Sequence, residues 1–177
     1  VADPGDLFDL AEELLNAGSE ALDTIPDLLG TAYDGAPDRQ LVSYGLPVID
    51  CCEMLTTWVD PIGVATRSPG TDAPSTLVHQ PTVNLMAIRC VPTGRIVGKQ
   101  YVPPAASSIT SATRQILADA WAIENHLFNM MNQDLLFTTC KPLGWNAASA
   151  QTPMGGCGGW RFSFAVALDG YSEDLTT

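Results

Sequence analysis

The sequence predicts an α+β domain: an antiparallel or mixed sheet of four to five strands packed against a central amphipathic helix, with a second helix at the N-terminus, in the order α-β-β-α-β-β. Three observations lead there. Residues 107–132 carry apolar side chains at helical spacing: Ile109, Ala112, Ile116, Ala120, Ile123, Leu127 and Met131 advance by three or four. Runs on both sides of that stretch alternate apolar and polar residues at the strand period. An acid-rich amphipathic segment opens the chain.

That opening segment predicts a helix over 4–17. Pro4 is tolerated in a first turn, and Leu7, Leu10, Ala11, Leu14 and Leu15 make one apolar stripe. Asp6, Asp9, Glu12 and Glu13 fill the other positions near the positive end of the helix dipole. Gly18 either ends the helix or is crossed, since Ala21, Leu22 and Ile25 continue the same face. Glycines and prolines between residues 30 and 47 point to a loop broken by a short strand at 40–44.

Residues 52–59 and 82–91 alternate as strands. Between them, 60–81 is rich in Pro, Gly, Ser and Thr and reads as a long loop. Pairing the two strands about a centre near Thr71 sets Trp58 opposite Asn84 and Cys52 opposite Cys90. Residues 93–102, with Arg95 and Lys99, read as a glycine-punctuated connection into the central helix, which Ser107 or Ser108 is placed to cap. In that helix Leu117, Trp121 and Met130 widen the apolar stripe, while Thr113, Arg114, Asp119, Glu124, Asn125 and Asn129 form the polar face. Trp121 and Phe164 are expected between helix and sheet.

After the helix, 135–140 reads as a strand and 141–159 as a loop ending in a run of glycines around Cys157. The last strand, 160–168, points Trp160, Phe162, Phe164, Val166 and Leu168 to the core, and Arg161, Ser163, Ala165 and Ala167 to water or another subunit. Folding 135–140 back on it places Cys140 opposite Cys157. Residues 171–177 are expected to form a frayed tail.

A chain of 177 residues, 46% apolar, reads as one domain spanning 1–177. No apolar run reaches the ~20 residues of a membrane helix, and the first residues lack the pattern of a signal peptide, so a soluble chain is expected. The net charge of −12 is unevenly placed: ten acids precede Arg39, the first base. The rest is nearly neutral, which argues against a phosphate-gripping surface and sequence-specific DNA binding. The five cysteines are too few and too irregular for a disulfide-built fold. The pairs Cys52/Cys90 and Cys140/Cys157 are read as close neighbours in a reducing compartment, with cross-strand disulfides the alternative. With no CxxC, and His79 and His126 remote from any cysteine pair, no zinc site is expected. Cys157 as a nucleophile lacks a base in any recognisable motif. No catalytic, cofactor-binding or metal residues are expected, and an enzyme is disfavoured.

The element order, together with IRCVP at 88–92, ILADAWAIENHL at 116–127 and GGCGGWRFSFAVALDG at 155–170, resembles the tail terminator proteins of long-tailed, actinobacterial-type bacteriophages. The likeness runs from about residue 4 to residue 170. It implies a virion structural protein without catalytic residues, made in the host cytoplasm and placed at the tail-neck junction. Its partners would be other copies of itself in a ring, most often a hexamer, the tail tube protein, and the head-tail connector or stopper. Genomic DNA would pass through without specific binding. A head-side neck protein is the alternative.

Overall fold

A computed structural model of the chain describes residues 4–25, 33, 35–47, 49, 53–67, 76–154 and 156–168. The elements are α1 (Pro4–Asp23), β1 (Arg39–Tyr44), β2 (Met54–Arg67), β3 (Thr76–Cys90), β4 (Arg95–Val97), β5 (Gln100–Val102), α2 (Ala106–Asn132), β6 (Cys140–Met154) and β7 (Cys157–Leu168). Five strands form one sheet in the order β1-β2-β3-β7-β6, and β4 pairs with β5 alone. Among the described residues the β1–β2 pairing is parallel and the other pairings of this sheet are antiparallel, so the sheet is mixed and the fold is α+β.

The expected register of the first hairpin holds, with Trp58 opposite Asn84. The expected loop at 60–81 does not. β2 continues to Arg67 and β3 begins at Thr76, the two arms pairing to Arg67↔Thr76. A register shift between Asp60 and Gly63 takes in Pro61, which has no N–H to give a ladder, so the pairing survives the proline. The expected loop at 141–159 is likewise mostly strand, as β6 runs from Cys140 to Met154. Three register shifts along β6 break the alternation that would have revealed it. Residues 135–139, expected as a strand, are turn and bend, with Leu136 and Phe137 buried. Cys140 therefore lies opposite Leu168, and Cys157 faces Cys90 on one side and Met154 on the other. Cys157 is disulfide-bonded, contrary to the expectation of a mere neighbour. Cys51, Cys52 and the tail at 171–177 lie outside the described residues.

Both helices lie on one face of the sheet. α1 crosses Gly18 because the missing Cβ is what lets it approach β3: a methyl there would come within 2.8 Å of Leu85 Cδ2. The Thr57 hydroxyl donates to the Ala11 carbonyl at 2.8 Å, pinning α1 to β2. α2 starts at Ala105 without a side-chain cap, so the serine cap is not formed; Ser108 and Ile109 N–H bond the Ala105 carbonyl instead. It ends in a Schellman motif, with Leu135 N–H to Met130 O at 2.9 Å and Asp134 N–H to Met131 O at 3.2 Å, Asp134 taking the left-handed position (φ 54°).

The buried face of α2 is rotated from the one expected. Ala120, Ile123 and Leu127 are buried as predicted, but so is Asp119, assigned to the polar face. Trp121 is 58% exposed and Ile109 and Leu117 are exposed too. The helix is apolar on two sides, so hydrophobic spacing alone does not choose between them; the choice falls to the buried partner of Asp119.

Under the helices the core joins Leu10, Leu14 and Leu22 of α1 to Leu55, Leu85, Phe162 and Phe164 of the sheet. A second cluster, Met54, Trp58, Met86 and Ile88, is buried on the opposite sheet face. Sheet packing is tightest at Gly159, where an added Cβ would run into the Ala87 carbonyl across the β3–β7 ladder. Gly159→Ala is expected to lower stability by about 1–3 kcal/mol in urea melts, through forced strand separation.

Candidate functional site

Arg89 is the centre of the polar structure. It lies on the core side of β3, in line with Val83, Leu85 and Ala87, and its side chain is only 4% exposed. Its Nε donates to Asp119 Oδ2 at 2.8 Å and one terminal nitrogen to Glu53 Oε2 at 3.0 Å. The other terminal nitrogen reaches Asp119 Oδ1 (3.1 Å), the Tyr33 hydroxyl (3.1 Å) and the Gly35 carbonyl (2.5 Å). The Tyr33 hydroxyl in turn donates to Asp119 Oδ1. β3, α2, Tyr33, Gly35 and Glu53 are thus tied at one guanidinium.

Burial opposes the charge on Arg89, but the hydrogen bonds and field of Asp119 outweigh it and hold the guanidinium more basic than usual. Burial also raises the Asp119 carboxyl above its ordinary range, against the downward pull of Arg89. The Tyr33 hydroxyl is pushed up by burial and by the neighbouring carboxylate. A cleft of about 360 Å³ opens beside this network, lined by Glu53, Arg89, Pro92, Ser108, Ser111 and Gln115. Since the guanidinium donors are already engaged with protein acceptors, the arrangement is suited to joining elements rather than to holding a reactant.

A second network lies on the opposite sheet face. Arg161 donates to Asn84 Oδ1 (2.8 Å) and Asp60 Oδ2 (3.1 Å), Ser163 Oγ donates to Asn84 Oδ1 (2.7 Å), and Trp58 Nε1 donates to Asp60 Oδ1 (2.9 Å). The Arg161 guanidinium sits 5.0 Å from the Trp58 ring centroid. Arg161, expected on a plain outer face, is therefore a cross-strand linker of β2, β3 and β7.

Among the described residues, two exposed apolar stretches lie apart from single exposed side chains such as Leu46 and Leu143. The β4–β5 hairpin, expected as a plain connection, has all six strand residues exposed, Ile96 at 77% and Tyr101 at 67%. Gly98 (φ 65°) makes its turn beside Lys99, and the Tyr101 ring lies over Gly94. Residues 91–118 hold Arg95, Lys99 and Arg114 and no acid, so this arm is basic on an acidic chain. Leu117, Trp121 and Phe128 form the other exposed surface, along α2.

His126 Nε2 stands 3.8 Å from Glu20 Oε2, beyond hydrogen-bond reach. The side chain of His79 lies outside the described residues. Among the described residues no three His, Cys, Asp or Glu side chains gather as a metal site, and no helix is long and apolar enough to cross a membrane. The Arg89 network was missed by the sequence reading, although an arginine at a core-facing position of an apolar strand is a visible signal. No family model matches the chain, and no curated protein is similar to it.

Proposed function

We propose that the chain is a virion structural protein that assembles into a ring at the head-proximal end of a phage tail tube, ends tube growth and joins the tail to the head-tail connector. The observation that carries this reading is the projecting β4–β5 arm. It is basic and apolar at once, with Arg95, Lys99, Ile96 and Tyr101, whereas the outer side of α1 exposes Asp9, Glu12, Glu20 and Asp23. An arm and a differing, oppositely charged ridge on one chain suit head-to-tail contacts between copies, the kind that close rings. Residues 60–67, 76–81 and 141–154, which read as loop in the sequence, are strand, which leaves the arm as the projecting element.

Deleting the gene from a phage that carries it should leave filled heads without tails and tails of abnormal length, and the purified chain should cap isolated tubes. An arm shortened to a glycine turn should fold and fail to cap. Tails of normal length that lack heads would point to a head-side neck protein, and normal infectious particles would remove the structural reading. Six copies of −12 bring about −72 together, so assembly should improve from 0.01 M to 0.15 M salt, where the screening length falls from ~30 Å to ~8 Å.

A further inference from the structure

The outward side of α2 carries a stripe that the fold leaves uncovered. Thr110, Arg114, Leu117, Trp121, Glu124 and Phe128 follow at alternating intervals of four and three, the spacing along which two helices meet. All six are exposed. The stripe runs ~27 Å along the helix. Thr113, Ala118 and Asn125 beside it are small or polar, leaving room for close approach. Phe128 is braced at one end by Trp145, with ring centroids 6.5 Å apart.

We propose that this stripe docks a second copy of the chain, the two α2 helices lying antiparallel about a twofold axis that crosses the stripe at the level of position 119. The order of charges selects that occupant. In this register each Leu117 faces the other copy's Trp121, each Arg114 faces Glu124, and each Thr110 faces Phe128, because each pair is spaced equally about position 119. Two opposite-charge pairs then flank an apolar centre that holds both tryptophans. A parallel pairing would set Arg114 on Arg114 and Glu124 on Glu124. Neither side chain forms an ion pair among the described residues, so both are available. Tryptophan and arginine are also the side chains that most often carry interface energy. The contact is isologous and closes at two copies, so it is separate from the head-to-tail arm contact and does not depend on it.

The test is sedimentation velocity on the purified full-length chain and its variants over a dilution series. With no tail tube present to template a ring, the wild type is expected to be dimeric. Trp121→Ala should keep its circular dichroism spectrum and become monomeric. Arg114→Glu and Glu124→Arg should each weaken the dimer at least about tenfold, since each brings like charges together twice, and the double variant R114E/E124R should recover most of the loss. A monomeric wild type, a double variant no tighter than the single ones, or a Trp121→Ala dimer as tight as the wild type would overturn the pairing. A larger assembly that persists unchanged in all four variants would overturn it too, while leaving the arm contact standing.

Discussion

Replacing Arg89 by alanine should lower the unfolding free energy by roughly 3–5 kcal/mol, because it strands the buried Asp119 carboxylate; Asp119→Ala should cost less, since Arg89 keeps its bond to Glu53. Asp119 is 2% exposed, and its two carboxylate oxygens accept from Arg89 and Tyr33. Water cannot replace those donors cheaply, nor can the protein alongside. The paired replacement R89M/D119L should lose less than Arg89→Ala, since the one charge it leaves, Glu53, is half exposed to water. Urea melts of the four proteins measure this directly. A thermal scan should show the single variants melting earlier, at about 2–4 °C for each kcal/mol in a chain of this size. If both single variants melted like the wild type, Arg89 would not be the pin that sets α2 on the sheet.

Phe164→Ala should cost about 3–5 kcal/mol. Phe164 is fully buried at the centre of β7, with ring centroids 5.6 Å from Phe137 and 5.1 Å from Trp145. Its loss opens a cavity that the sheet can close only by moving β6, so collapse is limited. Phe137 is held there at a positive φ of 59°, a conformation rare for a bulky residue, and Glu13 of α1 accepts its N–H at 2.7 Å. The aromatic cluster therefore fixes the turn before β6 as well as filling space. Denaturant unfolding of Phe164→Ala alongside Trp121→Ala makes the contrast: the exposed tryptophan should leave the monomer fold stable.

The core strands and the helix span were legible in the sequence. Helix α2 was placed within one residue at its start, and the Trp58–Asn84 register followed from the alternation of β2 and β3. The last strand shows its buried face because Phe162, Phe164 and Val166 alternate with smaller or polar residues. What failed had physical causes of two kinds. Bulged or proline-bearing strand segments do not alternate, so the arms of β2 and β3 and most of β6 read as loop. Asp119 read as surface because its partner, Arg89, is remote in sequence, and a charge becomes a core residue only through its partner. The polar networks escaped for the same reason, each being assembled from residues remote from one another in sequence.

The outer strands set a limit on growth. β6 forms one border of the sheet, and its three irregularities keep its free backbone groups from presenting an even ladder to another strand. β1 forms the other border and is only six residues long, stopped by Gly45 at φ 75°. Neither border offers the long flat template on which sheets extend from molecule to molecule into fibres. Contacts made at these two borders must therefore run through side chains, whose geometry fixes one partner at one angle, where a backbone ladder would repeat without end.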